Sequence, residues 1–485
     1  PLSELSRTIT PSKHRKLSPE VTTFHKILER DMKLHDPSSY TFSANQKDLQ
    51  AVVEKEALKK ELKGGKEPLY LKYCRKFGIQ WEPYSDVGHM RYNPEAALLF
   101  DLVSDYARAL VNSIGIPVFH VRGTNLFDLS VPAVREHADL YGGRLYQVDI
   151  DEKSYVLRYA ACHQQFAMVK DWILSYKDLP MGAFEIADSY RMEQDGELLL
   201  CFRLRKLHMP DLHIFCKDID EAERVSLDVH KKIYAEIQKL GLDYVSLYNT
   251  TERYFKEHPD FFKNLLEIER KPVLVNFVPD RYYWTINIEY NIVDELQRPR
   301  EIGTFQIDVG NAKRFDITYT NEKGAKLYPP IVHTALIGTI ERYLFAVFDA
   351  VAKDELAGKP TILPLWLSPT QVRLVPISKQ FFAFADKVAD LLENADIRVD
   401  LDDIEETLSK KIRRAETSWI PFVAVVGKKE EATEKMAVRI RQNGENRELT
   451  LEEIIAQVKK ETGGYPRRPL PFPRYLSRRP GYKTD

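Results

Sequence analysis

The spacing of apolar positions changes several times along this chain, and those changes divide it. Up to about residue 85 the sequence is polar and lysine-rich, with amphipathic helical spacing at 46–62 and a break at Gly64-Gly65. Residues 93–113 put apolar side chains at 98, 99, 102, 106, 107, 110 and 111, the spacing of one helix face. Strand-like runs follow at 116–121 and 154–159, and 162–176 is helical again, apolar at 166, 167, 169, 173 and 174. Residues 184–192 and 198–205 read as two strands joined by the polar turn Gln194-Asp195-Gly196-Glu197. A long amphipathic helix at 218–240 stops at Gly241. Strands are then expected at 271–278, 282–293 and 303–309, and a long, mostly apolar helix at 331–350. Many strands interspersed with helices, without a regular βαβ repeat, predict an α+β fold, an antiparallel sheet packed by helices.

The pattern becomes regular after Ala357-Gly358-Lys359-Pro360. Strands at 372–377, 397–399 and 422–426 alternate with helices at 378–394 and 402–416. Residues 436–441 form a hairpin through Asn443-Gly444, and Thr450 with Glu453 makes a capping box for a last helix. This is a small α/β domain. The tail at 466–485 is rich in proline and arginine and reads as an extended or disordered segment.

Composition narrows the class. At 485 residues the chain is too long for one core, so two or three domains are expected. With 44% hydrophobic and 29% charged residues it reads as an ordinary soluble globular protein. The formal net charge of −1 excludes a global basic field, so any RNA contact must use local patches. No run of about 18 apolar residues marks a membrane span, and the start of the chain does not read as a signal peptide. Cys74, Cys162, Cys201 and Cys216 are scattered without a C-x-x-C pair, which fits a reducing, cytoplasmic setting.

The chemistry concentrates around 184–216. On a strand Arg191 and Glu193 would share a face, and Arg203 and Arg205 would do so across the turn. Arginines grouped with a carboxylate suit a polyanion such as a nucleotide phosphate, though an exposed salt-bridged hairpin has the same composition. Arg191-Met192-Glu193 with Arg203 downstream resembles motif 2 of the class II aminoacyl-tRNA synthetases, and the continuation MPDLHIFC resembles the threonyl-tRNA synthetases. Gly338-Thr339-Ile340-Glu341-Arg342 fits the G-x-x-x-E-R core of motif 3. The stretch VRGTNLFDL matches motif 1 except that Thr124 stands where the family has a proline. Over about residues 86 to 465 the chain resembles an archaeal-type threonyl-tRNA synthetase.

That resemblance implies an N-terminal helical extension at 1–85, a class II catalytic domain at 86–358, an anticodon-binding α/β domain at 359–465 and the tail at 466–485. It implies threonine activation by ATP with Mg2+ and transfer to tRNA(Thr). Arg191 and Arg342 become the catalytic arginines, and Arg191, Glu193, Arg203 and Arg342 the ATP contacts. Cys162, His213 and His333, far apart in sequence, match the family's Zn2+ ligands, leaving an open position for the substrate. Asp211 and Gln306 become substrate contacts, and Glu430 and Arg439 anticodon readers. Three departures stand out. Leu207 replaces an adenine-stacking phenylalanine, Met209 a glutamine, and Val293 a tyrosine near the substrate ammonium. The polar, helical character of 1–85 suggests a form without its own editing domain that relies on a separate editing protein, and the family is dimeric. The remaining alternatives are a class IIa synthetase for another amino acid, such as proline, and an inactive synthetase-like protein that binds RNA or regulates.

Overall fold

A computed structural model describes residues 23–60 and 65–481; residues 1–22, Leu62, Gly64 and Lys483, which the sequence reading included, lie outside the described residues. Runs rich in valine, isoleucine and aromatic residues pair into a ten-stranded sheet. In chain order its strands are β1 (Phe24–Leu28), β2 (Leu34–His35), β3 (Val118–His120), β4 (Met181–Tyr190) and β5 (Lys206–Phe215), then β6 (Val245–Thr250), β7 (Val273–Phe277), β8 (Trp284–Val293), β9 (Pro299–Asp308) and β10 (Ile331–Thr334). Their order in space is β2-β1-β7-β6-β8-β9-β10-β5-β4-β3, antiparallel except at β6–β7 and β3–β4.

Alternation gives each strand two faces. Phe184, Leu212, Ile214, Ile288, Phe305 and Val332 bury one face. They pack there against helices including α3 (Pro94–Val111), α5 (Ile219–Gln238) and α6 (Ile340–Leu356). The N-terminal stretch does not form the separate helical extension expected. β1 pairs with β7, α1 (Lys47–Glu56) packs on the sheet, and Tyr70, Tyr73 and Cys74 of α2 (Tyr70–Lys76) enter the main core. Hydrophobic residues too few to make a core alone are enough to extend a neighbour's.

Two further expectations are corrected. Residues 198–205 are not the returning strand; β5 begins at Lys206, pairing with Tyr190, and 191–205 form a long loop. The pattern misled because the loop's apolar residues are anchors. Leu200, Cys201, Phe202 and Leu204 are buried, the Tyr70 hydroxyl donates to the Leu200 carbonyl at 2.8 Å, and the Cys74 and Cys201 sulfurs lie 3.7 Å apart. Nor is 331–350 one helix: it is β10, a turn, and α6 from Ile340. Gly338 enforces the break, with φ of +72° and an added Cβ only 2.2 Å from the Ile302 carbonyl oxygen. Thr339 then caps α6 by accepting from Arg342 N at 3.0 Å.

The C-terminal unit has a five-stranded sheet in the order Val399–Leu401, Val372–Pro376, Phe422–Val426, Lys435–Ile440, Asn446–Thr450. The first three are parallel, and the capping box at Thr450 and Glu453 opens Leu451–Thr462. The helix expected at 402–416 starts later, at Leu408. Over its described residues, 466–481, the tail is held down by ion pairs. Arg468 reaches Asp101 and Asp105 of α3 (2.8 and 2.5 Å), Arg474 reaches Asp390 and Glu393 (2.7 and 2.5 Å), and Arg479 reaches the buried Asp400 at 3.0 Å.

Candidate active site and metal centre

The sheet face opposite the main core carries the chemistry. Register puts Ala183, His213, His333, Gln306, Asn287, Asn249, Asn276 and His25 in one row across eight strands. His213 on β5 and His333 on β10 are direct partners, with ring centres 4.5 Å apart. Cys162 opens α4 (Cys162–Val169), which packs against β4 and β5. The ligand atoms of Cys162, His213 and His333 all lie within 4.8 Å of one another, Cys162 Sγ being 3.7 Å from His333 Nδ1.

The rings are oriented from behind. His213 Nδ1 meets Gln165 Oε1 at 2.7 Å, and His333 Nε2 meets Asp308 Oδ2 at 2.8 Å. This leaves His213 Nε2 buried without a hydrogen-bond partner, and His333 Nδ1 turned to the thiol. Burial holds the His213 ring well below its usual value, so it is neutral, with His333 and Arg158 adding to the effect. Burial, then Asp211 and Asp308, push the Cys162 thiol well up. A divalent cation would reverse that preference. One thiol and two imidazoles, with second hydrogen bonds and an orphaned ring nitrogen, fit a tetrahedral zinc site with an open position. Asp211 stands over it, Oδ2 3.5 Å from His213 Nε2 and 4.0 Å from Cys162 Sγ, and burial raises its carboxyl to about 6. Gln306, beside His333, accepts from the Tyr283 hydroxyl at 3.2 Å.

The tyrosine whose place the resemblance gives to Val293 lies elsewhere in the chain. Val293 lies at the far end of β8, opposite Pro299, whereas Tyr283 is at the site. Gln165 and Asp308 were also missed. Each had a signal: Gln165 is one helical turn after Cys162, and Asp308 is two strand positions after Gln306.

The arginines gather in the 191–205 loop and at the start of α6, not on one strand face. Arg191 donates to the Tyr159 carbonyl at 3.1 Å and lies 5.7 Å over the Tyr141 ring. Arg203 sits 2.8 Å from Glu197 and 3.7 Å from Glu193. Arg342 lies 5.0 Å over Phe202, 3.6 Å from Glu301, and donates to the Phe202 carbonyl at 3.3 Å. Burial first, then the charges of Arg191 and Arg203, push the Arg342 guanidinium below its ordinary value against the opposing Glu301. Like charges held together in this way are suited to a polyanion. Arg205 is not among them, being buried against Asp86 (2.7 Å), Asp195 (2.5 Å) and the Glu193 carbonyl (2.9 Å), where it braces the loop. At the motif 1 match Thr124 N donates to Gln164 Oε1 at 3.3 Å.

In the C-terminal unit, Arg439 is exposed and paired with Glu416 at 2.7 Å, and Glu430 lies in the short helix Lys428–Thr433. Arg441 is engaged by Thr361 O (2.7 Å), Thr361 Oγ1 (3.0 Å) and the Glu416 carbonyl (2.8 Å).

Comparison with known proteins decides the family. Residues 146–351 match the tRNA synthetase class II core domain (G, H, P, S and T), and 371–461 match the anticodon binding domain. Threonine–tRNA ligases of Thermofilum pendens and Pyrobaculum calidifontis are each 56% identical over 483 residues, 99% of this chain and 79% of theirs. The chain belongs to the threonine–tRNA ligases. It is thus a class II aminoacyl-tRNA synthetase, an ATP- and Mg2+-using enzyme class. The ligase of Staphylothermus marinus is 49% identical over 99% of this chain and 78% of its own length. Among solved structures, the RNA binding domain of threonyl-tRNA synthetase from Cryptosporidium parvum Iowa II aligns with TM-score 0.72 at 24% identity, over 82% of this chain and 99% of that one. Prolyl-tRNA synthetase of Cryptosporidium parvum aligns with TM-score 0.61 at 16% identity, covering 81% and 76%. These two likenesses speak for the fold. Among the described residues no helix is long and apolar enough to cross a membrane.

Proposed function

We propose that this synthetase activates threonine with ATP to threonyl-adenylate and transfers it to tRNA(Thr), using the residues assembled above. What carries this reading is the convergence of Cys162, His213 and His333 beside Asp211 and Gln306, on the sheet whose loop presents the arginines. The amino-acid carboxylate attacks the α-phosphorus and pyrophosphate leaves, a step that needs positioning and charge neutralisation more than a protein base. Arg191 is suited to the α-phosphate, Arg203 and Arg342 to the remaining phosphates and the adenine side, and Glu193 to the base. Magnesium would accompany the phosphates. When bound at Cys162, His213 and His333, Zn2+ would supply a Lewis-acid position for the substrate amino group and hydroxyl.

Asp211 is within reach to accept the hydroxyl's hydrogen bond, and the Tyr283–Gln306 pair lines the same side. Valine cannot satisfy groups built for that oxygen, a discrimination of about 10⁴–10⁵, while serine lacks only a methyl and is rejected about 10–200-fold. Serine carried onto tRNA therefore has to be cleared by hydrolysis, for which a separate editing protein is one source. Glu430 and Arg439 are proposed to read the anticodon from the domain at 359–465, the catalytic domain spanning 86–358, in a cytoplasmic homodimer.

The test is ATP–pyrophosphate exchange with threonine, serine and valine in parallel, with zinc quantified. Exchange ranked threonine, then serine, with none for valine, at one zinc per chain, is the expected result. A chain that binds no zinc would remove the specificity argument, and zinc without exchange would leave a synthetase-like binding protein.

A further inference from the structure

Glu341 precedes Arg342 at the start of α6 and is wholly buried. A carboxylate in that position is costly unless its oxygens are satisfied. They are, chiefly by one residue. His208 N donates to Oε2 at 3.1 Å, His208 Nδ1 meets Oε1 at 2.5 Å, and the Tyr92 hydroxyl donates to Oε1 at 3.2 Å. The other ring nitrogen, His208 Nε2, lies 3.2 Å from Oδ1 of Asp188, its register partner on β4. A ring with a carboxylate at each nitrogen is satisfied on both sides only as the imidazolium, which donates from both. The Phe100 ring packs edge-on at 4.6 Å. The other charged groups facing the ring are Lys206, 3.3 Å from Asp188, and Asp101, which shares a cavity of about 260 Å³ with it and is paired to Arg468.

We propose that His208 is a positioning residue for nucleotide binding: held between Asp188 and Glu341, it fixes the start of α6 against β5, and so fixes Arg342 relative to Arg191 and Arg203. The proposal rests on the ATP reading above. Arg191 and Arg203 belong to the loop that ends at β5, whereas Arg342 belongs to α6, and His208 with Glu341 is the polar link between β5 and that helix end. The ring is on the sheet face away from the metal ligands, so its effect on threonine is expected to be small. A displacement of about 1 Å between groups that grip one ligand costs on the order of 10²-fold.

Two substitutions separate positioning from general support. His208→Asn keeps an N–H near the Nδ1 position toward Glu341 and drops the contact with Asp188. His208→Gln reaches past Glu341 and retains only the outer contact. In the full chain, measured by equilibrium ATP binding and by threonine-dependent exchange, His208→Gln is expected to raise Kd and KM for ATP about 10–100-fold. KM for threonine and zinc content should stay unchanged, and His208→Asn should remain within about 3-fold of wild type. The ATP Kd of the wild type should also rise as pH passes about 9, by no more than about 3-fold and to the level of His208→Asn, because the neutral ring keeps a single N–H as that variant does. Equal effects of both substitutions, or parallel losses of ATP, threonine and zinc, would overturn the role. Should His208→Gln fail to fold, the pH dependence decides: an ATP Kd equally flat in wild type and His208→Asn sinks it. A wild-type chain that binds no ATP overturns the nucleotide reading itself, which the binding measurement distinguishes from failure of this role alone.

Discussion

Asp308 and Gln165 show how much of the proposed metal centre is held by residues that would never touch an ion there. Each takes one nitrogen of a histidine and leaves the other turned to the proposed metal position. Asp308→Asn keeps the shape but weakens the acceptor, and we expect zinc affinity to fall about 10–100-fold in a chelator competition. Arg342→Ala removes a cation that the proposed transition state uses, and threonine-dependent exchange should drop about 10²–10³-fold while zinc content holds. None of the three proposed ligands is legible alone: Cys162, His213 and His333 are separated by 51 and 120 positions and look like core residues. Similarity to family motifs found them. It also misassigned the nearby tyrosine to Val293, because one-dimensional matching cannot see that the strand register brings Tyr283 to Gln306.

Gly338 and His208 decide how the motif 3 strand and helix are set. Gly338→Ala would require a left-handed backbone and put a methyl against the Ile302 carbonyl, so a loss of at least about 2 kcal/mol is expected in urea unfolding. His208 gives a pH signature of opposite sign to that of a paired carboxylate. Its folded pKa is raised to about 9 from an unfolded value near 6.5, Glu341 and Asp188 overcoming the burial that alone would lower it. Its contribution is therefore fully present below about pH 6.5 and is lost as pH rises through about 9. On the order of 3 kcal/mol of stability should separate wild type from His208→Gln at pH 6, narrowing above pH 9, in denaturant titrations at each pH. The pattern of 331–350 looked continuous because a buried strand and a buried helix are both apolar throughout, and only length and the glycine separate them.

The tail joins the two parts of the chain. Arg468 is clasped by Asp101 and Asp105 of α3, while Arg479 reaches Asp400, which is fully buried and also held by Arg373 at 2.7 Å. Removing one partner of a buried carboxylate leaves it under-satisfied. Arg479→Ala is expected to cost about 1–3 kcal/mol, seen by calorimetry as a lower Tm for the C-terminal unit, with exchange activity unchanged. From composition, proline and arginine predicted an extended or disordered tail, since nothing local supplies counter-charges. They come from α3, Phe382–Asn394 and Val399–Leu401, distant in sequence.

What could be read along the chain was whatever depends on near neighbours. The helix faces at 93–113 and 218–240, the βαβ alternation after residue 360 and the capping box at Thr450 follow from side-chain periodicity and local hydrogen bonding. The α+β class and the family motifs belong to the same kind of information. What depends on register and long-range pairing had to wait for the fold. Only when β5, β10 and β9 align do His213, His333 and Gln306 fall into one row, and only when α4 packs against β4 and β5 does Cys162 reach them. The 191–205 loop is the sharpest case. Its buried Leu200, Cys201 and Phe202 imitate a strand, yet they serve to pin a loop that carries charged groups toward the site. A hydrophobic residue records that it is buried, and against what it is buried is decided by the rest of the chain.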